Sequence, residues 1–300
     1  MFVVTYRKFF YILSGSLVAL SILAVLVYGL NFGIDFKGGS ILEIKYQATR
    51  PEMSFVRDEI SKVVGPDASV RPIGENGYVI RMRSLSEPER QQVLVALASK
   101  GEKFEEQRFD SIGPLLGSES AKKSLISIVL VLVMIVLFIA FAFRKVSEPV
   151  SSWKYGIIAV IALAHDLFIP TGFFAILGHF NPTIEIDTLF VTALLVILGF
   201  SVHDTIVVFD RVRENLKFNR HQPFDQTVGQ SISQTFTRSI NTSLTVVLAL
   251  IVLYFVGGEV THNFTLALLV GIIAGTYSSI FLGSPLLVTV ERWQNKKLNK

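Results

Sequence analysis

A carboxylate stands inside a segment that is otherwise apolar enough to lie in a membrane. Asp204 follows the run TLFVTALLVILGF and precedes Asp210 by six residues, which is about 9 Å along a helix. An aspartate side chain is too short to reach water over that distance, and a charge at the bilayer centre costs about 2.5–3.5 kcal/mol. Charges kept at such depth usually face a bundle interior and serve function. We therefore interpret Asp204 as a candidate ion-coupling residue.

Arg238 begins the next apolar segment and carries the opposite charge. Consecutive spans run antiparallel, so Asp204 and Arg238 are expected at similar depth and are able to face one another. Burial disfavours a carboxylate while a guanidinium favours it, so such a site can take up and release a proton when its geometry changes. The alternative is a static ion pair. A polar stripe continues along one helix face at i+3, i+4 and i+7, at Asn241, Thr242 and Thr245.

Asp166 is a second acid near the middle of an apolar segment. Pro170, four residues later, frees a backbone carbonyl and is expected to bend the helix. We consider Asp166 a candidate for ion handling or for polar packing of the bundle. His165 should point elsewhere, since adjacent helical residues do not share a face, and is predicted to pack or cap. Glu185 and Asp187 flank the outer start of the next span, where acids favour a helix N-terminus and could also admit protons.

Six membrane spans must position these groups. The 300-residue chain is 51% hydrophobic and 17% charged, with a mean hydropathy of +0.53, which excludes a soluble domain. It has no cysteine, so disulfide and thiolate chemistry are excluded. It also lacks a Walker A loop, a GxSxG elbow and HExxH, so we predict no enzymatic activity, cofactor or metal site. Windows of about 20 apolar residues lie at 9–29, 124–143, 155–178, 186–209, 239–256 and 264–290.

The distribution of Lys and Arg predicts the orientation. The intervening connections GHFNPTIEID and GGEVTHNF contain neither residue, so the positive-inside rule places both termini of a multi-pass cell-membrane protein in the cytoplasm. A nucleic-acid partner is not expected, because the basic clusters lack interleaved aromatic residues. These clusters lie in alternate loops, at Arg7 and Lys8, at Arg144, Lys145 and Lys154, at Arg211 to Arg220, and at Arg292 to Lys300.

The long connection after the first span is predicted to fold as a small extracytoplasmic domain. Alternation in ILEIKYQ and GYVIRMR indicates strands, and PEMSFVRDEISKVV and EPERQQVLVALASK are typical of helices that begin near a proline. The order strand, helix, strand, strand, helix, strand is the ferredoxin-like split βαβ arrangement. The fold class is therefore an α-helical membrane protein with six spans and a small α+β domain. The polar stretch before the fifth span should form a short surface helix and a second segment after Pro223.

Small residues recur every fourth position in the sixth span. Such a stripe lets another helix approach closely, so a partner or a neighbouring span should pack there. The stripe consists of Gly271, Gly275, Ser279 and Gly283.

Four segments together resemble the SecD/SecF family of bacterial protein-export membrane proteins, on its SecF side. They are NFGIDFKGG at 31–39, SIGPLLGSES before the second span, GFSVHDTIVVFDRVREN at 199–215 and TRSINTSLT around Arg238. The resemblance covers essentially the whole chain and places the family's membrane aspartate and arginine at Asp204 and Arg238. The position before the aspartate is often Asn in the family and is His203 here, which could change the ion preference or the pH response.

The resemblance implies half of an RND-type transporter. Such a protein would pair with SecD and assist the SecYEG channel in the lipid bilayer. It would use a proton or sodium gradient to pull unfolded exported polypeptide outward. The implied divisions are a first span at 1–30, the outer domain at 31–121, a five-helix bundle at 122–292 with a cytoplasmic segment at 211–237, and a cytoplasmic tail at 293–300.

The GG-containing motif after the first span is expected to set its junction with the outer domain. Gly38 and Gly39 would form a flexible turn behind Gly33, with Asp35 and Lys37 as polar contacts, although a simple linker is the alternative. Two other functions stay open for the whole chain. One is an ion-coupled RND-like exporter of small molecules or lipids, and the other is a translocon scaffold that transports nothing.

Overall fold

The computed structural model describes residues 2–99, 103–144, 150–181, 183–218 and 221–298. The chain divides into two compact units, a membrane unit of Met1–Asn31 with Ile126–Lys300 and a sheet domain of Phe32–Leu125. The predictions made for Lys145, Arg220 and Lys300 fall outside the described residues.

The elements follow one another in a regular order along the chain. They are α1 (Phe2–Thr5), α2 (Arg7–Tyr28), α3 (Ile34–Lys37), β1 (Gly39–Tyr46), α4 (Met53–Val64), β2 (Ser69–Ile73), β3 (Gly77–Met82), α5 (Glu87–Leu97), β4 (Phe104–Ile112), α6 (Pro114–Ala142), α7 (Ser152–Phe180), α8 (Thr188–Phe218), α9 (Phe224–Val256), α10 (Glu259–Ser278), a π-turn (Ser279–Gly283) and α11 (Ser284–Leu298).

Six helical segments of the described chain are long and apolar enough to cross a membrane, which confirms the six predicted spans. They are α2, α6, α7, α8, α9, and α10 continued through the π-turn into α11. The last span has 67% of its most apolar window buried, whereas α6 has 6%. The α10–α11 span is therefore the centre of the bundle, with α7 and α8 beside it, and α6 lies at its periphery.

The polar stretch between the fourth and fifth spans differs from the prediction. No separate short helix forms in the described part of it, because α8 continues to Phe218 and α9 already begins at Phe224. The expected surface position also fails for part of this stretch. Val212, Val228 and Ile232 are buried, because at helical spacing these few apolar residues fall on the inward faces of two helices that extend beyond the spans.

The sheet domain is a four-stranded antiparallel sheet of order β2-β3-β1-β4. Alternate residues of β1 face the helices, so Leu42 and Ile44 are buried with Ile80 of β3. Val56 of α4 and Val93 of α5 close the same core. This arrangement confirms the predicted strand and helix order and the ferredoxin-like class.

The small-residue stripe of the last span packs against neighbouring spans. A Cβ atom at Gly271 would lie 2.1 Å from Cδ1 of Ile197, and one at Gly275 would lie 3.0 Å from Cβ of Ser201, both on α8. At Gly283 a Cβ atom would lie 3.6 Å from Cβ of Ala162 on α7. The glycines therefore let the central span approach α8 closely, which fixes the heights of the polar groups on the two helices.

Candidate ion-coupling site

Asp204 lies buried on α8, with 6% of its surface exposed. Its Oδ1 atom accepts a hydrogen bond of 2.5 Å from Oγ of Ser239 on α9. Its Oδ2 atom is also buried, and within the described residues it has no hydrogen-bond partner. A buried polar atom without a partner is costly, so this chain alone leaves the carboxylate incomplete.

Arg238 does not pair with Asp204 in the structure. Among the described residues no ion pair joins the two side chains, and Arg238 is exposed on α9. The physical reason is helical geometry, because Arg238 and Ser239 are adjacent and point about 100° apart. Ser239 faces inward and takes the position expected of the arginine. The sequence signal for this is the i, i+4 spacing of Ser239 and Ser243, which the structure shows to be the buried face of α9 at this height.

The polar stripe of α9 lies on the surface of the chain. Arg238 and the three residues predicted to accompany it are all exposed, and Oγ1 of Thr245 donates to the carbonyl of Thr242 at 2.8 Å. His203 on α8 is exposed as well. A polar helix face is unfavourable against lipid, and such faces usually meet another helix or a water-filled cavity. The stripe therefore marks a face that is suited to a further polar membrane helix.

Asp166 has the opposite character, because it is fully buried and well supplied with donors. Its Oδ2 atom lies 2.5 Å from Oγ of Ser201 on α8 and 2.8 Å from Oγ of Ser278 at the end of α10. Its Oδ1 atom lies 2.9 Å from Nδ1 of His165. Pro170 has no N–H, so the Asp166 carbonyl also lacks its usual helical donor.

His165 contacts its neighbour, which corrects the expectation that it points elsewhere. The imidazole turns along the helix so that its Nδ1 atom reaches Asp166, a contact that the i, i+1 geometry of Cβ atoms alone does not reveal. The ring is 2% exposed and stacks on Tyr277 of α10, with 5.9 Å between ring centroids. Its Nε2 atom is buried and has no hydrogen-bond partner within the described residues.

Hydroxyl groups join the central span to α8 and α9. Oγ of Ser279 and Oγ1 of Thr205 are 3.0 Å apart, and Oγ1 of Thr276 donates to Oγ of Ser243 at 2.6 Å. Ser279 is also the first residue of the π-turn. Single π-turns inside α-helices occur frequently at functional sites. Across the described residues, no three side chains of the His, Cys, Asp and Glu types gather as metal ligands.

One of the two predicted acids at the start of the fourth span caps its helix. Oδ1 of Asp187 accepts a hydrogen bond of 2.7 Å from the backbone N–H of Phe190 in the first turn of α8. This bond satisfies one of the free N–H groups at the helix start. Glu185 lies two residues earlier and is half-buried.

The glycine motif forms a tightly packed turn, in contrast to the expected flexible one. Gly38 has φ +77°, and a Cβ atom there would lie 2.7 Å from Cα of Pro114. Gly39 has φ +133°, and a Cβ atom there would lie 2.9 Å from the carbonyl oxygen of Met82. Only glycine combines these backbone angles with such close approach.

The rest of the motif forms the short helix α3. Gly33 precedes this helix as its N-cap, Asp35 stands in its first turn and Lys37 in its last turn. The acid and the base therefore occupy the helix ends that favour their charges.

Six spans joined to a ferredoxin-like sheet domain, with carboxylates buried among the central helices, define a multi-pass membrane protein of the RND half-transporter class. The family model described as protein export membrane protein SecD/SecF, C-terminal, matches residues 92–293. The model described as the SecD/SecF GG motif matches residues 23–49, which include Gly38 and Gly39. The chain belongs to the SecD/SecF family.

Relatives with similar sequences carry the name protein translocase subunit SecF. The protein of Thermobaculum terrenum is 43% identical over 98% of this chain and 94% of its own length. The protein of Anaerolinea thermophila is 35% identical over 96% of this chain and 94% of its own length. These relatives are named as transport subunits.

A solved structure has the same fold. The crystal structure of SecDF from Thermus thermophilus, described as a translocon-associated membrane protein, matches with a TM-score of 0.82 and 32% identity. It covers 97% of this chain, whereas this chain spans 38% of that protein. A second SecDF structure, in a super-membrane-facing form, gives a TM-score of 0.68 and 31% identity.

Proposed function

We propose that this chain is the SecF subunit of the Sec protein-export machinery. Together with SecD, it would use a proton or sodium gradient to drive the outward movement of unfolded polypeptide that emerges from SecYEG. The names of the relatives support the export assignment. The SecDF relative of Thermus thermophilus, of which this chain matches 38%, supports a partnership with SecD.

The observation that carries the ion-coupling part is the incomplete site at Asp204. One carboxylate oxygen is buried without a hydrogen-bond partner within the described residues, while Arg238 lies exposed on the neighbouring helix. A partner helix that carries its own polar or acidic group would cover the exposed stripe and complete the site. A carboxylate that is completed only in the assembled complex can respond to the packing of that complex.

The proposed cycle begins with ion loading. When Asp204 takes a proton or sodium ion, its attraction for Arg238 and its repulsion of any partner carboxylate both weaken, so the helix packing shifts. Along the chain, α2 precedes the sheet domain and α6 follows it. We propose that these two helices transmit the shift in helix packing to the sheet domain. One charge that moves through 100 mV supplies about 2.3 kcal/mol, so several ions per useful stroke are required for a large population change.

The proposed orientation follows from the basic loops, with both termini in the cytoplasm. The sheet domain then lies on the outer side, where it can act on polypeptide that has left the channel. The charge pattern supports this orientation in each short loop.

The test is protein export into inverted membrane vesicles that contain the complete complex. Export is measured with and without an ion gradient for wild type, Asp204→Asn and Arg238→Met. We expect both variants to assemble with the partner subunit but to lose the gradient-dependent part of export. Separate proton and sodium ionophores identify the coupling ion.

Matched controls exist on α8. Asp210→Asn and Arg211→Met make the same chemical changes on α8 at side chains that are 56% and 40% exposed, so gradient-dependent export should persist in both. Full export by Asp204→Asn would overturn ion coupling and leave a scaffold. Intact secretion combined with loss of small-molecule efflux in the Asp204→Asn strain would favour the exporter function.

A further inference from the structure

The pair His165 and Asp166 is a buried polar cluster that the proposed cycle at Asp204 does not use. Both side chains are at most 2% exposed. Asp204 bonds instead to Ser239, on a different helix from any group that touches Asp166. The two acids therefore belong to separate hydrogen-bond systems within the described residues.

The donors around Asp166 are arranged as they would be around an ionised carboxylate. Ser201 places its hydroxyl 2.5 Å from Oδ2, Ser278 places its hydroxyl 2.8 Å from Oδ2, and the imidazole Nδ1 of His165 lies 2.9 Å from Oδ1. An ionised carboxylate only accepts hydrogen bonds, so all of these contacts fit a negative Asp166 with the histidine proton on Nδ1. The Nε2 lone pair of His165 is then free.

The surroundings of His165 fit a proton better than a metal ion. The Ser201 and Ser278 hydroxyls lie at donor distance from the carboxylate, and Ser278 also lies 3.1 Å from the Gly275 carbonyl oxygen. Asp166 and these hydroxyls therefore do not form an open oxygen cage of the kind that hard cations require. Within the described residues, the titratable groups that contact the imidazole are Asp166 on α7 and Tyr277 of α10, whose ring stacks on it. Around Asp166, α8 and the end of α10 contribute the Ser201 and Ser278 hydroxyls, and from α2 Ser14 donates to the Tyr277 hydroxyl at 3.3 Å.

We propose that His165 and Asp166 form a second proton-binding site, separate from Asp204, in which Nε2 of His165 takes the proton. The Nε2 lone pair forms the new N–H bond, and the positive imidazolium keeps its Nδ1–H bond to the negative Asp166. The proton comes from hydronium in the aqueous phase, whose O–H bond breaks and leaves water. A loaded site holds a neutral ion pair in place of a lone buried carboxylate, so proton binding removes a net charge from the centre of the bundle.

The test follows the ring nitrogens of His165 by NMR in the full chain, purified with its partner subunit and labelled with ¹⁵N-histidine. The chain has 5 histidines. The other four, His179, His203, His221 and His262, are exposed or half-buried, so each can be replaced by Gln to leave His165 alone. As the pH is lowered across the range in which the protein stays folded, we expect Nε2 to gain a proton while Nδ1 keeps its hydrogen-bonded proton.

Two variants complete the test. His165→Asn keeps an N–H donor near Asp166 and should abolish the signal. Asp166→Asn should prevent formation of the buried imidazolium. An Nε2 atom that stays unprotonated throughout the folded range would overturn the proposal, and so would ring signals that respond to sodium instead of to pH. The measurement does not involve export, so it stands or falls independently of gradient-driven export through Asp204.

Discussion

The two buried carboxylates of the membrane unit share one type of hydrogen-bond donor and differ in how many further donors surround them. Each accepts a 2.5 Å hydrogen bond from a serine on the next span along the chain, Asp166 from Ser201 and Asp204 from Ser239. Asp166 gains two further polar contacts from the same chain, whereas Asp204 keeps an oxygen without a partner within the described residues. The chain therefore surrounds Asp166 with donors on both oxygens and supplies a donor to only one oxygen of Asp204.

The difference follows from where the helices lie. Asp166 belongs to α7, which packs against the central α10 span, so donors reach it from several directions. Asp204 lies on α8 toward α9, and only 17% of the most apolar window of α9 is buried. A site near the edge of the bundle receives donors from fewer helices, so one oxygen of its carboxylate stays without a hydrogen-bond partner within the described residues.

The largest effect should come from replacing Asp166 by leucine, with the same replacement at Asp204 as the comparison. Asp166→Leu leaves the Ser201, Ser278 and His165 groups without their acceptor, and we expect the free energy of unfolding to fall by about 3–5 kcal/mol. Asp204→Leu removes an oxygen that has no hydrogen-bond partner within the described residues and leaves only Ser239 without its acceptor. The free energy of unfolding should therefore change by less than about 1 kcal/mol. Denaturant unfolding of the purified chain in micelles measures both. Equal losses at the two positions would contradict the distinction drawn between them.

A smaller effect is expected where the central span meets α8, the helix that carries groups of both sites. In Gly271→Ala the new Cβ atom meets Cδ1 of Ile197 at 2.1 Å, and we expect a loss of about 1–3 kcal/mol in the free energy of unfolding. Ile197→Val removes that Cδ1 atom and should restore part of the loss in the double variant. Gly199→Ala is the matched control, since a Cβ atom there meets nothing within 4 Å and alanine favours helix.

The serine partners sharpen the comparison further. Ser239→Ala removes the hydrogen bond that orients Asp204 within this chain, and we expect gradient-dependent export to fall about fivefold, equivalent to about 1 kcal/mol. Ser201→Ala leaves Asp166 with Ser278 and His165 and should change export by less than about twofold. The export assay in inverted vesicles compares them at equal expression. A stronger effect at Ser201 would reverse the assignment of the coupling acid.

The sequence was sufficient for the architecture because each element has a local signal. Apolar windows predict the six spans. Strand alternation, together with helices that begin near a proline, predicts the sheet domain. It also located Asp204, because a charge inside an apolar run needs no tertiary information. It could not supply Ser239 or the contact between His165 and Asp166. Both depend on the rotation of the helices and on side-chain rotamers. A serine in a membrane span is also uncharged, so its burial is not costly enough to mark it as a functional residue.

The smallest effect on stability is expected for an exposed carboxylate of the sheet domain. Comparing it with Asp166 shows how burial changes the contribution of a carboxylate that has several donors. Glu89, at the start of α5 in the sheet domain, has abundant donors, like Asp166. The Arg83 guanidinium, then the backbone N–H and the hydroxyl of Ser86, lower the pKa of Glu89 from its ordinary 4.5 to about 2. Because the folded pKa is the lower one, this contribution to stability is present above about pH 4.5 and is lost as the pH falls toward 2.

Glu89→Gln should therefore flatten the fall in sheet-domain stability between about pH 5 and pH 2, measured by hydrogen exchange of its backbone amides. Ser86→Ala, which removes the hydroxyl donor alone, should have an intermediate effect. Added salt should shrink the wild-type slope, because water and ions screen an exposed pair. Asp166 has comparable donors but is buried among helices, so salt should not change its contribution. A salt-independent slope at Glu89 would mean that donor number alone, without burial, sets the strength of these sites.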